Sequence, residues 1–292
     1  VRVTLTRPSP CKVNLLLNIL GRRPDGFHAL ETVMQPVNVC DTLHFTRGGT
    51  RVQLTCDAPG LPVDSRNLVV RAAEAFRAAA GVAEGVQVYL EKRLPLAAGL
   101  GGGSANAAVT LRALNELFGH PLDPARLTAL AAELGSDVPF FLQDGPALAT
   151  GRGELVQPLP PFRALRGTAL LLAHPGFGVE TVWAYRELAR FPAALHGEPG
   201  RAQRLIAALN GTDLMAAARD FYNALEAPVL AKFPVLALYQ DFFRQQGAAV
   251  ALMSGSGSTT FAVFPSRAAA EAAQAPFQRA LGGAAWLAVA DL

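Results

Sequence analysis

Four glycines fall within five residues, Gly99, Gly101, Gly102 and Gly103, in the stretch PLAAGLGGGSANAA that starts at Pro95. Glycine loses more backbone freedom on folding than any other residue, so such a run is favoured where the backbone itself must approach something closely. The strand pattern VQVYLEKRLP precedes the run and the helical pattern SANAAVTLRALNELFG follows it, with Ala108, Leu111, Leu114 and Leu117 or Phe118 recurring on one face. The glycines are therefore predicted in a strand-to-helix turn, with Ser104 as the helix N-cap. Such a turn aims several backbone N–H groups and the positive end of the helix dipole at one point, and no side chain blocks a phosphate from reaching it. A tight turn needing positive φ is the competing reading, and one or two glycines would satisfy it. The run lacks the closing Gly-Lys-Ser/Thr of a nucleotide P-loop and the GxGxxG dinucleotide spacing, and the protein-kinase signature set is absent.

Other residues with chemistry to offer are few. Lysine occurs only as Lys12, Lys92 and Lys232. Lys12 opens the apolar run VNLLLNIL, and Asn14, two residues on, faces the same side of a strand. A polar pair on one face of a buried strand suits a ligand-facing edge; a lysine snorkelling to water from a strand end is the alternative. Asp137, in GSDVPFF, is a lone carboxylate before an apolar run, either a helix N-cap or a reactive group. Phe27 and His28 follow the turn PDG, where hydrophobic closure with a solvated histidine competes with ligand recognition. The SGSGS loop, Ser254 to Ser258, reads either as a flexible hairpin or as a second glycine-rich wall. The histidines show no zinc spacing, and Cys11, Cys40 and Cys56 form neither a metal motif nor an even set.

Those residues need strands and helices to hold them. RVQLTC and VQVYL alternate as half-exposed strands. RNLVVRAAEAFRAAAG is an amphipathic helix closed by Gly81, and DPARLTALAAELG has Asp123 as N-cap, Pro124 in the first turn and Gly135 after the end. Periodicity lapses at GRGELVQPLPPFRALRG, Gly151 to Gly167, which is the predicted domain boundary. Beyond it TALLLAHP is a strand; ETVWAYRELAR, GTDLMAAARDFYNALEAPVLAKF and VLALYQDFFRQQG are helices; AAVALM and TTFAVF are strands. A helix, RAAAEAAQAPFQRAL, and the strand AAWLAVADL finish a β-α-β-β-α-β order, the ferredoxin-like pattern. With 292 residues, 51% of them hydrophobic, the chain can bury one large or two medium cores. A net charge of +3 with dispersed basic residues gives no nucleic-acid footprint. No membrane-length apolar run or secretory signal is evident, and the expected location is the cytoplasm.

The motif P-x-x-x-G-L-G-G-G-S-A-N-A-A resembles the phosphate loop of the GHMP small-molecule kinases. PCKVNLLLNILGRRPDGFHALETVMQPVNVCDTL, LGSDVPFFL and MSGSGSTTFAVF are similar to further segments of one branch of that family, in the same order. The resemblance implies a two-domain α+β fold, with an N-terminal domain of a type shared with ribosomal proteins over 1–155 and a ferredoxin-like C-terminal domain over 156–292. It implies ATP as phosphoryl donor, bound by Pro95, Leu96, Ala97, Ala98, Gly99, Leu100, Gly101, Gly102, Gly103, Ser104 and Ala105. Mg²⁺ is expected on the nucleotide and water rather than on a protein carboxylate, with Ser104 a candidate for a phosphate oxygen or a Mg²⁺-bound water. Asp137 becomes the general base and Lys12 its cationic partner. The implied acceptor is a small alcohol carrying a cytidine diphosphate moiety. Asn14 would hold it near the reacting hydroxyl, Phe27 would stack on cytosine, and His28 would bond its polar edge. Thr181 and Tyr185 would complete the substrate side, with Trp183 competing for the second stacking ring. Phe27 stands where many relatives have tyrosine, which keeps the stacking face. No nucleic acid or membrane partner is implied. Another kinase of the family, and a nucleotide-sensing or RNA-binding protein sharing the first-domain fold, are the alternative readings.

Overall fold

The computed structural model describes residues 4–292. Two long strands, β1 (Thr4–Arg22) and β2 (His28–Arg47), each run through both of the compact units into which the chain divides. One unit comprises the chain up to Cys11, Cys40–Leu94 and Gly101–Asp144; the other comprises Lys12–Val39, Pro95–Leu100 and Gly145–Leu292. β1 is buried without a break from Cys11 to Ile19, which is why VNLLLNIL does not alternate. Lys12 lies in the middle of β1 and not at its start, because Thr4–Ser9 already pair as strand; the polar TRPS stretch hides this from the sequence.

In the first unit β3 (Val52–Cys56) and β4 (Val86–Glu91) are parallel, and α1 (Leu68–Ala80) supplies the crossover that a parallel pair needs. β4 also pairs antiparallel with Thr42–Arg47 of β2, and Val86, Val88 and Leu90 turn to the core while Gln87 and Tyr89 face out. α2 (Gly102–Leu117) and α3 (Pro124–Leu134) pack with α1. The end signals read from sequence are present. Gly81 closes α1 at φ 65° and Asp123 caps α3 by accepting from Arg126 N; Asn67, which carried no such reading, caps α1 by accepting from Val69 N. Ser104 is a correction. The N-cap of α2 is Gly101, at φ 71°, and Ser104 is the third helical residue, because only glycine takes that left-handed cap without strain.

The second unit carries β5 (Ala147–Thr150) and β6 (Leu155–Pro158), a hairpin on Thr32–Met34 of β2. β7 (Ala169–His174) leads into α4 (Thr181–Glu187), α5 (Pro192–Leu195), α6 (Arg201–Asn210) and α7 (Leu214–Ala217). There follow β8 (Tyr222–Asn223), α8 (Glu226–Lys232), α9 (Val235–Gln245), β9 (Val250–Met253), β10 (Thr260–Phe264), α10 (Arg267–Leu281) and β11 (Trp286–Asp291). The sheet β11-β7-β10-β9 is antiparallel throughout, which is the ferredoxin-like arrangement of first, second, third and fourth strands as 4-1-3-2. α9 and α10 cover it, with the Phe243 and Phe277 rings stacked at 5.0 Å in the core. The stretch predicted as one helix from Gly211 to Phe233 is instead broken into α7, β8 and α8. Tyr222 and Asn223 pair parallel with Leu16 and Leu17 of β1, and that long-range ladder overrides the local helix preference of the Ala-rich sequence. Among the described residues no helix is long and apolar enough to cross a membrane.

Candidate active site

Lys12 is only 3% exposed, so the snorkelling alternative does not describe it. Its ammonium donates to Asn14 Oδ1 at 2.5 Å and to the carbonyl of Gly99 at 3.1 Å. Asn14 in turn donates to Thr32 Oγ1 (2.8 Å), whose hydroxyl donates to Leu16 O (2.6 Å). A cation buried on a strand is tolerated only where such bonds replace its water. The chain Lys12–Asn14–Thr32 fixes the ammonium and the Asn14 amide in one orientation. Thr32 carried no sequence signal, because its partner lies 18 residues away on a neighbouring strand.

The turn Pro95–Leu100 is held against the SGSGS loop. Ser254 Oγ donates to Gly99 O (3.0 Å), Thr259 N donates to Ala98 O (3.2 Å), and Leu100 O accepts from Lys12 N (3.0 Å). The loop is buried throughout, with Ser254 and Ser258 fully enclosed, which removes the flexible-hairpin reading. Asn223 braces it by donating to Met253 O (2.7 Å) and Gly255 O (2.8 Å), and Thr181 Oγ1 lies 2.8 Å from Ser256 Oγ. Asn223 escaped sequence reading because it sat inside a segment assigned as helix.

Gly99 cannot be another residue here. Its φ is 75°, and a Cβ would fall inside the van der Waals shell of Ser254 O and 3.0 Å from Gly257 N. Gly99→Ala is expected to lower unfolding free energy by about 2 kcal/mol or more, from left-handed strain plus overpacking against backbone that cannot yield. Denaturant unfolding measures it, and a loss below about 0.5 kcal/mol would contradict the close packing of these two loops.

Gly101, Gly102, Gly103, Ser104 and Ala105 lie in the first unit as the cap and first turn of α2. The first intrahelical bond there runs from Ala105 N to Gly101 O (2.8 Å), so the N–H groups of Gly102, Gly103 and Ser104 precede it at the positive end of the helix. Gly103 is exposed and Gly101, Gly102 and Ser104 are half-buried. Asp137 is a half-buried residue of the same unit, before the 3-10 turn Pro139–Leu142, which packs on α2 and α3. Val138 rather than Asp137 occupies the N-cap position of that turn. Buried Val138, Pro139, Phe140 and Phe141 anchor the segment that presents the carboxylate.

Phe27 is 50% exposed at the end of a turn shaped by Asp25, which accepts from Phe27 N (3.1 Å) and pairs with Arg23 (2.9 Å). That pairing holds the Asp25 carboxyl below the usual carboxylate range. The Arg152 guanidinium lies over the Phe27 ring, 4.9 Å from its centroid. His28 sits beside Tyr185 with ring centroids 5.1 Å apart. Burial, and then the charge of Arg22, lower the His28 pKa below the ordinary imidazole value. Trp183 is otherwise engaged: the Lys232 ammonium lies 4.0 Å from its ring centroid, and Phe233 packs edge-on to it.

A buried lysine bonded into a glycine turn, a helix that starts on glycines, and a ferredoxin-like second half are the features of a small-molecule kinase. Models of the GHMP kinases N terminal domain and the GHMP kinases C terminal region match residues 67–145 and 197–283. The chain belongs to the GHMP kinase family, whose members use ATP as phosphoryl donor. It is 44% identical over 260 residues to the 4-diphosphocytidyl-2-C-methyl-D-erythritol kinase of Synechococcus sp. (strain JA-3-3Ab), covering 87% of this chain and 83% of that one. The protein of the same name from Pelotomaculum thermopropionicum is 41% identical over 280 residues, 95% of each chain. A crystal structure of 4-(cytidine 5'-diphospho)-2C-methyl-D-erythritol kinase is similar with a TM-score of 0.79 at 34% identity, covering 99% of this chain and 100% of that one. Homoserine kinase from Cytophaga hutchinsonii shares the fold, with a TM-score of 0.78 at 22% identity.

Proposed function

We propose that this chain transfers the γ-phosphoryl group of ATP to the 2-hydroxyl of 4-diphosphocytidyl-2-C-methyl-D-erythritol, a cytoplasmic step of the non-mevalonate route to isoprenoid precursors. The observation that carries this is the buried Lys12 ammonium bonded to both Asn14 and the Gly99 carbonyl, a fixed cation built into the glycine turn. Asp137 accepts the proton of the substrate hydroxyl, the oxygen attacks the γ-phosphorus, and ADP leaves. Charge spreads over the transferring oxygens, so the protein contributes by positioning and electrostatics. Lys12 and the first-turn N–H groups of α2 supply that stabilisation, and Pro95–Ala105 cradles the nucleotide. Asn14 orients the alcohol. Residues 1–155 serve the nucleotide and 156–292 the substrate, with Lys12, Asn14, Phe27 and His28 as contributions of the first segment to the acceptor. Among the described residues no group of three or more His, Cys, Asp or Glu side chains could hold a metal ion. Mg²⁺ would be held mainly by the nucleotide phosphates and water, as is usual for an ion that dehydrates reluctantly. No nucleic acid or membrane takes part.

The cytidine is read by Phe27, His28 and Tyr185. Phe27 offers an exposed face backed by Arg152, and Tyr185 is favoured over Trp183 as the second ring because it adjoins His28 while Trp183 is occupied by Lys232 and Phe233. Thr181 holds the start of α4 to the SGSGS loop and so sets where Tyr185 stands. Stacking on an aromatic contributes about 1–3 kcal/mol per base. Phe27→Ala is thus expected to raise the acceptor Kd roughly tenfold to a hundredfold with ATP affinity unchanged. His28→Ala should erode the preference for the cytidine over the uridine analogue, because hydrogen bonds to the base edge carry that choice. Neutral His28 can both donate and accept; its lowered pKa keeps it neutral at pH 7. As pH falls below about 6.5 and then through the lowered value, protonation removes the acceptor, so the acceptor KM should rise on the acid side and the His28→Ala profile should be flat there. Equal discrimination between cytidine and uridine in wild type and His28→Ala would overturn the assigned base site.

A further inference from the structure

Asp41 is fully buried in β2, and the strand reading of CDTL gives no reason for a carboxylate there. It collects four donors. Oδ1 accepts from the backbone N–H groups of Arg93 (2.8 Å) and Leu94 (2.9 Å), and Oδ2 from Lys92 Nζ (2.7 Å) and Asn106 Nδ2 (3.1 Å). Residues 92–94 are the exit of β4, and Asn106 lies in the second turn of α2, so the donors come from both sides of the glycine run. Lys92 also donates to Leu94 O (2.8 Å). A Cβ at Gly102 would meet Leu94 Cδ1 at 3.3 Å and Lys92 Nζ at 3.6 Å, so the first helical residue of α2 sits directly on the cluster.

A buried carboxylate is costly unless every lone pair is used, and for holding a fold an apolar group of the same size would often serve as well. An ammonium beside a helix N-terminus also opposes the dipole unless an anion neutralises it. What the arrangement achieves is a fixed placement of the β4 exit against the start of α2. We propose that Asp41 is a positioning residue for nucleotide binding: it touches no substrate, but presets the N–H groups of Gly102, Gly103 and Ser104 for a phosphate. This rests on the kinase reading above, and its gain is the preorganisation that an unanchored turn would have to supply on binding.

Calorimetry with a non-hydrolysable ATP analogue and, separately, with CDP as the acceptor-side probe tests it. Asp41→Ala should raise the analogue Kd by about tenfold or more with the CDP Kd within about twofold, and Asp41→Asn, which keeps an oxygen for the Arg93 and Leu94 N–H groups but loses the charge and the acceptor facing Lys92 and Asn106, should recover only part of the loss. If Asp41→Ala does not fold, Asn106→Ala, which removes one donor of the four, should still weaken the analogue by about threefold and spare CDP. Unchanged analogue affinity in the folded variant, or equal weakening for CDP, overturns the inference. A wild-type protein that binds no ATP analogue would instead overturn the kinase reading, and the inference with it, on the wild-type arm alone.

Discussion

Asp137→Asn is expected to lower kcat by about a hundredfold or more while the protein stays folded and binds ATP as the wild type does. The substitution is nearly isosteric, but it removes the negative charge and the ability to take a proton, and it replaces one acceptor oxygen with an NH₂ donor. The segment that carries Asp137 is anchored by buried Val138, Pro139, Phe140 and Phe141, which the substitution leaves in place. A structural role would show as lowered stability with normal turnover per folded molecule. A general-base role shows as the reverse, with KM for ATP little changed and kcat depressed across the pH range in which the wild type is active. Wild-type kcat in the folded variant would remove Asp137 from the mechanism.

Lys12→Met should cut kcat by about a hundredfold to a thousandfold, the scale of losing one preorganised charge that meets the transition state. Its burial changes what is expected of stability. An exposed cleft lysine would contribute almost nothing, whereas Lys12 is enclosed and bonded to Asn14 and Gly99. Methionine fills similar space, and two effects then oppose each other. The Asn14 carbonyl loses a donor, a cost of about 1–3 kcal/mol, while a desolvated charge is removed, which is favourable. Gly99 O keeps its bond from Ser254 Oγ, and Asn14 keeps Thr32. The net change should stay within about 2 kcal/mol, so the folded variant can be assayed. Normal specific activity of that folded fraction would make Lys12 a structural lysine.

Local chemistry was legible before the fold was known. The glycine run, the cap Asp123, the stop at Gly81, and the β-α-β-β-α-β order all depend on neighbours within a few residues. What escaped depends on partners far away. Asn14 needs Thr32 across a strand pair, Asp41 needs Lys92 and Asn106 from 51 and 65 residues on, and Asn223 needs Met253 and Gly255. The same cause explains the errors. Ser104 follows the preference for a hydroxyl cap, but the chain enters α2 through a left-handed residue, which Gly101 adopts without strain and a serine would not. The Ala-rich run after Gly211 favours a helix, but two residues of it are taken by β1 as a strand. The base-reading roles proposed for Phe27, His28 and Tyr185 come only from the family resemblance, since an aromatic at a turn has no local signature of a base.

The most direct test is a coupled ADP-release assay of the wild-type chain with ATP and a panel of alcohols: 4-diphosphocytidyl-2-C-methyl-D-erythritol, free methylerythritol, homoserine and mevalonate. The account predicts turnover of the cytidine diphosphate compound with a kcat/KM at least about a hundredfold above that of free methylerythritol, since stacking and base-edge bonds act only on the former. Equal kcat/KM for the two, or preferred turnover of homoserine or mevalonate, would contradict it, as would salt-sensitive RNA binding with no turnover of any alcohol.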